Sequence, residues 1–362
     1  MTSPIARLPE FGQSPWYDNL TRAYAKGGLR ALMERDGIRG VTSNPTIYEK
    51  ALSAGDDYDA QLAGLAKAGT DTKDAYWDLV LADIADAADL LRPVYDELGG
   101  ADGFVSVEVD PDLAHDTAHT VAQAKDLFAR VDRPNVMIKI PATAECLPAI
   151  SETIGAGINV NVTLIFALRR HAEVIEAYLS GLEKLAAAGG DLAGVSSVAS
   201  FFVSRVDTET DRRLPDGHAL RGKAAVANAK LAYQLFERSF SGARWEALAA
   251  KGARLQRPLW ASTSTKNPAY SPTLYVDELI GPNTVNTLAQ ASIDALQTHV
   301  GLRANTVTER VDEAERAIAS LADAGVDFDD VTDTLEREGV ASFSASFHDA
   351  LDTLAKKARE LQ

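Results

Sequence analysis

Short apolar segments alternate with longer amphipathic segments along most of the 362-residue chain. The apolar segments have the length of strands, and the amphipathic segments repeat their apolar residues at the helical period. The predicted strands are Pro15–Asp18, Ile38–Asn44, Phe104–Asp110, Val136–Ile140, Gly157–Thr163, Gly194–Phe202, Arg257–Ser264 and Thr284–Leu288. Such alternation builds a parallel sheet, and eight strand–helix units are the number that closes a barrel. We therefore predict an α/β fold, a (β/α)8 TIM barrel.

Helical segments fill the intervals and extend beyond the last strand. Four of them cover Ala75–Leu98, Pro111–Arg130, Arg169–Ala187 and Leu220–Leu248. The interval from about residue 48 to 100 is too long for one crossover helix, which predicts a helical insertion there. Residues 307–362 predict two or three further helices that pack on the barrel or cap one end. The sequence shows no low-complexity linker and no change in composition that would mark a second domain. We therefore predict one domain over residues 1–362.

Polar residues interrupt five of the predicted strands, and in each strand they share one face. Asn161 and Thr163 alternate with valines, so the period of two places both on the same side. Glu108 and Lys139 occupy polar faces in their own strands. If the apolar faces pack under the helices, the polar faces converge inside the barrel. Residues late in each strand then lie at its C-terminal mouth, where barrel enzymes have their active sites.

Lys139 is the charged residue of an otherwise apolar strand. An unpaired ammonium group is costly to bury, and a buried lysine can avoid that cost by losing its proton. The neutral amine is a nucleophile toward carbonyl carbons, which indicates Schiff-base chemistry. The alternative is a lysine at the end of a strand whose head reaches solvent.

Composition and charge narrow the classes of function. The net charge of −16 argues against binding to nucleic acid or to an anionic membrane surface. A local cluster of positive groups must therefore bind any anionic substrate. Cys146 is the only cysteine, which excludes an intrachain disulfide and a zinc–thiolate site. The N-terminus lacks the features of a signal peptide and no apolar run reaches membrane-spanning length, which predicts a cytoplasmic protein.

Seven segments, in order along the chain, together resemble one enzyme family. They are Trp16–Leu20, Gly40–Thr46, Val105–Val109, Met137–Thr143, Asn159–Phe166, Ala199–Asp207 and Trp260–Asn267. The family is transaldolase, and the similarity is greatest to its longer bacterial type. The resemblance extends from about residue 13 to the C-terminus. Each segment alone is a weak signal, whereas seven on the expected strands are highly specific.

The resemblance implies a Schiff-base transferase of the non-oxidative pentose phosphate pathway. Such an enzyme moves a dihydroxyacetone unit from sedoheptulose 7-phosphate or fructose 6-phosphate to glyceraldehyde 3-phosphate or erythrose 4-phosphate. Its ligands are sugar phosphates, and it needs no metal or organic cofactor, because the iminium acts as the electron sink. Both a monomer and a homodimer fit the acidic composition.

The resemblance also implies roles for individual residues. Lys139 matches the Schiff-base lysine, Glu108 and Thr163 match residues that hold a catalytic water, and Asp18 matches the general base. The residue types alone also allow a helix cap at Asp18, and a turn at Asn44 before proline.

Six further residues match substrate-binding positions. Asn44 and Asn161 match residues that bind hydroxyls of the three-carbon unit, and Ser200 matches the serine that contacts the C1 hydroxyl. Phosphate binding is implied for Arg205, Ser262 and Lys266. Lys266 stands where many transaldolases carry arginine.

Two other functions remain open at this point. The first is an aldolase on the same scaffold that releases free dihydroxyacetone instead of transferring it. Glu108 and the length of the chain favour transfer. The second is a non-catalytic sugar-phosphate-binding protein, against which the combination of Asp18, Glu108 and Lys139 argues.

Several charged residues are predicted to lie at the surface. His115 and His119 are four residues apart on a helix, but they lack the glutamate and third ligand of a zinc site. Arg169 and Arg170 follow the fifth strand and are assigned to the surface. We further predict that Asp83, Asp86 and Asp89 form the solvated face of their helix.

Overall fold

The computed structural model describes residues 3–361 and contains a closed barrel of eight parallel strands. Met1, Thr2 and Gln362, which the predicted domain bounds include, lie outside the described residues. The strands are β1 (Gln13–Tyr17), β2 (Val41–Thr42), β3 (Val105–Glu108), β4 (Val136–Pro141), β5 (Val160–Ile165), β6 (Ser197–Phe202), β7 (Gln256–Ala261) and β8 (Thr284–Leu288). Each strand pairs with its successor, and β1 pairs with β8 to close the barrel. The predicted fold class is confirmed.

Helices surround the barrel and follow it in the chain. The α-helices are α1 (Leu29–Asp36), α2 (Pro45–Ser53), α3 (Asp59–Lys67), α4 (Thr72–Glu97), α5 (Thr117–Val131), α6 (Cys146–Gly155), α7 (Leu168–Ala187), α8 (Ser204–Arg213), α9 (Ala224–Ser239), α10 (Gly242–Ala249), α11 (Leu274–Glu278), α12 (Gln290–Leu296), α13 (Val311–Asp323) and α14 (Phe328–Glu360). Single turns of 3-10 helix occur at Pro111–Leu113 and Thr306–Thr308, a longer one at Ile5–Phe11, and a π-helical turn at Tyr24–Gly28. Within residues 3–361, no helix has the length and hydropathy needed to cross a membrane.

The structure shows the helical regions in more detail than the prediction, and it divides the predicted helix Pro111–Arg130 into the turn Pro111–Leu113 and α5. The interval between β2 and β3 holds α2, α3 and α4 in succession. The segment Leu220–Leu248, predicted as one helix, is divided into α9 and α10. The division falls where Gly242 adopts a φ of 79°, a left-handed conformation that favours glycine and interrupts a helix.

Asp83 is buried, so the prediction that it lies on the solvated face of α4 is wrong. Its carboxylate accepts hydrogen bonds from Nε of Arg22 and from the hydroxyl of Tyr58, each at 2.8 Å. Asp86 and Asp89 are exposed, as predicted. A spacing of three residues rotates each successive side chain, so the three aspartates span about 120° of the helix circumference. Asp83 therefore faces the protein interior, where the positive charge of Arg22 compensates the negative charge of its carboxylate.

His171 of α7 is fully buried beside the barrel. Its burial predicts that the folding stability of the protein depends on pH. Its ring lies 5.6 Å from that of Phe201, and neither ring nitrogen has a hydrogen-bond partner within residues 3–361. Burial lowers the pKa of His171 to about 4. The unfolded chain therefore binds a proton near pH 6.5, which the folded chain does not bind until about pH 4. Folding stability should fall as pH decreases through this range, by about 3 kcal/mol from this group.

The variant His171→Phe tests this contribution in urea unfolding at pH 7 and pH 4.5. Phenylalanine retains an aromatic ring against Phe201 but cannot bind a proton. We expect the variant to lose less stability than the parent protein between the two pH values. Because all other titrating groups are common to both proteins, equal losses would contradict the prediction.

Candidate active site

Lys139 and Glu108 form a buried pair inside the barrel, on the adjacent strands β4 and β3. The two residues are in register, with 5% and 6% of their surfaces exposed. Nζ of Lys139 lies 3.1 Å from Oε2 of Glu108 and donates a hydrogen bond of 3.2 Å to the carbonyl oxygen of Ser43. Two opposite charges withdrawn from water at this distance compensate each other. The alternative of a lysine whose head reaches solvent is wrong.

The Glu108 carboxyl holds a proton more readily than an exposed glutamate. Burial raises the pKa of Glu108, although the charge of Lys139 opposes the shift. Thr163, on the far side of Lys139 in β5, directs a buried hydroxyl that has no hydrogen-bond partner among the described residues. A carboxyl and a free hydroxyl beside an amine are groups that can hold a water molecule and transfer protons.

The backbone is irregular immediately after Thr163. The pairing of β5 with β6 shifts register between Val162 and Ile165, and Leu164 has a φ of 60°. A positive φ is costly for a leucine. Such bulges are common beside active sites, where they redirect a side chain.

Asp18 lies just beyond β1, at the same end of the barrel. Its carboxylate accepts a 2.7 Å hydrogen bond from the hydroxyl of Thr42, which also lies 2.9 Å from the hydroxyl of Thr287. The next helical residue is 22, too far along the chain for Asp18 to serve as its N-cap. The helix-cap interpretation of Asp18 is therefore wrong.

The two asparagines and the serine differ in their local bonding. Asn44 is the N-cap of α2, where its side chain accepts a hydrogen bond from the amide of Ile47, so its local structural role is that of a helix cap and not of a turn residue. Asn161 donates to Ser106 at 3.0 Å and accepts from Ser200 at 2.7 Å. A chain of hydrogen bonds therefore crosses the barrel interior from β3 to β6.

The positive side chains predicted to bind phosphate follow β6 and β7. Arg205 is half-buried with its guanidinium 5.3 Å from the ring of Phe202, and burial lowers its pKa. Lys266 is exposed and donates to the hydroxyl of Ser264 at 2.7 Å. Partial burial lowers the pKa of Lys266, and the nearby charge of Arg205 lowers it further. Ser262 has a φ of 56°, a second left-handed residue at the site.

One pocket brings most of these residues together. It has about 440 Å³ of empty volume. It is lined by Asp18, Thr42, Asn44, Lys139, Thr163, Ser200, Phe202, Arg205, Ala261, Ser262, Thr287 and Phe343. Glu108 and Asn161 lie behind this lining and contact Lys139 and Ser200. Lys266 does not line the pocket, although Arg205 and Asp18 are near enough to influence its pKa.

Sequence reasoning missed the residues that enclose the pocket. Phe343 belongs to α14, and its ring centroid lies 5.7 Å from Nζ of Lys139. The helical period of α14 identifies Phe343 as an apolar residue but gives no indication of which strand it faces. The period-two pattern places Thr42 on the polar face of β2, and the same pattern in β8 could have identified Thr287.

Ion pairs fasten α14 across this end of the barrel. Arg169 pairs with Asp329 at 3.1 Å and also with Asp333. Arg170 lies 3.3 Å from Glu336. A Cβ on Gly339 would lie 2.9 Å from Cδ2 of Leu164, so the helix approaches the strand end very closely.

Through these ion pairs, the two arginines hold α14 in place. Arg169 is exposed, as predicted, whereas Arg170 is half-buried beneath α14. His115 and His119 are exposed and pair with Glu145 and Asp116. Within residues 3–361, no group of histidines, cysteines and carboxylates is arranged to bind a metal ion.

A closed barrel of eight parallel strands with a buried lysine and glutamate inside it belongs to the (β/α)8 class, whose active sites lie at the C-terminal mouth. The chain belongs to the transaldolase/fructose-6-phosphate aldolase family, which residues 15–354 match. The resemblance carried by the seven sequence segments is thereby confirmed.

Three relatives illustrate the extent of the similarity. Transaldolase 1 of Streptomyces avermitilis is 52% identical over 361 residues, which cover 98% of this chain and 96% of the relative. A transaldolase of Parafrankia sp. is 50% identical over 363 residues, covering 99% and 98% of the two chains. That of Saccharopolyspora erythraea is 51% identical over 359 residues, covering 98% of each.

Proposed function

We propose that this chain is a transaldolase that transfers a dihydroxyacetone unit between sugar phosphates through a Schiff base on Lys139. Sedoheptulose 7-phosphate or fructose 6-phosphate would be the donor, and glyceraldehyde 3-phosphate or erythrose 4-phosphate the acceptor, in the non-oxidative pentose phosphate pathway. The observation that carries the proposal is the buried Lys139–Glu108 pair beneath a pocket that also holds Asp18.

Formation of the Schiff base requires proton transfers between Lys139, Glu108 and the bound sugar. Lys139 first passes a proton to the Glu108 carboxylate, and its neutral amine then attacks the C2 ketone of the donor to form a carbinolamine, which loses its hydroxyl as water. Glu108 is suited to supply the proton for that loss, because burial raises its pKa and it lies 3.1 Å from the amine nitrogen. The free hydroxyl of Thr163 can hold the water molecule between them.

Cleavage and transfer follow at the same pocket. Asp18 removes the proton of the C4 hydroxyl as the C3–C4 bond breaks, and the electrons of that bond enter the iminium to form an enamine. The aldehyde product leaves, and the enamine then attacks the carbonyl carbon of the acceptor. Asn44 and Asn161 hold hydroxyls of the three-carbon unit, and Ser200 contacts its C1 hydroxyl. For Asn44 this task falls to the amide nitrogen, since its oxygen caps α2.

Phosphate binding is assigned to Arg205, Ser262 and Lys266 at the carboxyl ends of β6 and β7. Arginine offers a planar fork for phosphate oxygens, and lysine adds a point charge. The positive charges are local in a chain of net charge −16, so they define where an anionic substrate binds. The names of the relatives favour transfer over release of free dihydroxyacetone and over binding without catalysis.

Trapping with borohydride tests the proposal. The protein is incubated with fructose 6-phosphate, reduced, digested and analysed by peptide mass mapping. We expect a three-carbon adduct on Lys139, since cleavage between C3 and C4 leaves the dihydroxyacetone unit on the enzyme. Erythrose 4-phosphate added before reduction should discharge the adduct. Bound sugar phosphate without any adduct would overturn the Schiff-base assignment in favour of a binding protein.

A further inference from the structure

Lys266 lies in a short loop after β7 that is closed by its own hydrogen bonds. The hydroxyl of Thr265 donates to the carbonyl oxygen of Ser271 at 3.1 Å. Within that closure, the amide of Tyr270 donates to the carbonyl oxygen of Asn267 at 3.1 Å. Residues 265–271 therefore form a compact unit, and the position of Lys266 follows the position of the whole loop.

Tyr270 connects this loop to α8. Its hydroxyl donates a 2.5 Å hydrogen bond to Oδ2 of Asp211, and the other oxygen of that carboxylate accepts the amide of Gly222 at 2.9 Å. Gly222 has a φ of 70°, and a Cβ there would lie 2.7 Å from Cζ of Tyr270. The Tyr270 ring thus lies directly on the backbone of Gly222 while its hydroxyl is held by Asp211.

The same helix carries Arg205 in its first turn. Asp207, one turn before Asp211, anchors the helix by accepting the amide of Ala225 at 2.8 Å and the hydroxyl of Tyr275 at 2.9 Å. The carboxylate that holds the Lys266 loop therefore belongs to the rigid element that bears the other cation. The Tyr270–Asp211 bond joins the two elements.

Lys266 and Arg205 repel each other when no anion is bound. Partial burial lowers the pKa of Lys266, the charge of Arg205 lowers it further, and the charge of Asp18 opposes both effects. The flexible four-carbon stem of a lysine fixes no geometry by itself. A restraint on the loop would therefore help Asp18 to hold both cations at one site before phosphate arrives.

We propose that Tyr270 and Asp211 are positioning residues for substrate phosphate: their hydrogen bond holds the loop so that Lys266 stays beside Arg205. The inference rests on the proposed function, because it assumes that these two cations bind the phosphate. A hydrogen bond to a carboxylate is stronger than one between neutral groups and can oppose the repulsion. Phosphate then meets a preformed pair of cations, so less conformational entropy of the loop is lost when phosphate binds.

The variant Tyr270→Phe removes this hydrogen bond and leaves the ring on Gly222. We expect KM for fructose 6-phosphate and Ki for inorganic phosphate to rise about fivefold, with kcat within about twofold of the parent value. We expect this rise in KM and Ki to depend on Lys266, because the hydrogen bond acts by positioning the loop that bears it. In a Lys266→Ala background, the same substitution should therefore change neither constant further.

Tyr178→Phe is the matched control. Tyr178 is buried in α7, and its hydroxyl donates to the carbonyl oxygen of Arg254 at 2.7 Å, before the start of β7 and away from the pocket. The Tyr178→Phe variant should lower thermal stability without changing KM for fructose 6-phosphate or Ki for phosphate. The inference fails if Tyr270→Phe leaves Ki for phosphate unchanged, or raises it equally with and without Lys266. It fails too if Lys266→Ala leaves that Ki unchanged.

These outcomes are separable from failure of the proposed function. The Schiff-base proposal depends on the borohydride adduct at Lys139, whereas the positioning role depends on the phosphate constants. An adduct that forms normally in Tyr270→Phe, together with an unchanged Ki, overturns the positioning role alone. Absence of the adduct from the parent protein overturns the Schiff base.

Discussion

Replacement of Lys139 by methionine is expected to abolish transfer. Methionine keeps an unbranched side chain only one atom shorter but has no amine, so neither the carbinolamine nor the iminium can form. We expect kcat to fall by more than about 10,000-fold, and borohydride to leave no sugar on the protein. Glu108 then has no cation beside it, and protonation of its carboxyl avoids a lone buried charge. Steady-state kinetics with fructose 6-phosphate and erythrose 4-phosphate measure the loss.

Lys230→Met separates catalysis from the general effect of removing a buried lysine. Lys230 is 3% exposed, and its Nζ lies 2.9 Å from the half-buried carboxylate of Glu278, so it too is a buried lysine in an ion pair, but it lies on α9 away from the pocket. We expect this variant to be less stable than the parent protein and close to it in kcat. Transfer at the parental rate by a folded Lys139→Met protein would refute the mechanism.

Asp18→Asn is expected to block cleavage of the C3–C4 bond, the step that follows formation of the Schiff base. Asparagine has the same shape and can still accept the hydroxyl hydrogen of Thr42, but it is not a base. Schiff-base formation with fructose 6-phosphate should continue, whereas cleavage between C3 and C4 should slow by about 100- to 10,000-fold. The trapped species should therefore change from a three-carbon to a six-carbon adduct on Lys139, which mass mapping distinguishes.

Asp102→Asn provides the corresponding control. Asp102 is a buried aspartate that accepts the indole N–H of Trp16 at 2.8 Å and lies 3.4 Å from Arg257, just before β3. This variant should yield the three-carbon adduct even if its stability is reduced. A three-carbon adduct in Asp18→Asn at the parental rate would mean that another group takes the C4 proton.

The barrel and the positions of its strand residues could be predicted because both follow from a local repeat. Period two in a strand assigns each side chain to a face, and parallel strands bring equivalent positions together. This placed Lys139 beside Glu108 and put Thr163 in the same pocket. The roles assigned to these residues came from the resemblance and stay proposals until the variants are measured.

Residues outside the strands were harder to place, for physical reasons. The period of α14 shows that Phe343 is apolar, but tertiary packing determines that it faces Lys139. The burial of Asp83 depends on Arg22, which lies 61 residues away in sequence. For Asn44, the residue types allowed a turn or a substrate contact, whereas in the structure it caps α2 and lines the pocket.

The position of α14 in the chain has a consequence for folding. All eight strands precede it, and the wall over Lys139 comes from a helix far along the sequence. A chain whose barrel has closed before α14 docks has its lysine exposed to water and to any small carbonyl compound. The completed pocket therefore requires α14, and access of other carbonyl compounds to Lys139 is restricted only when that helix is in place.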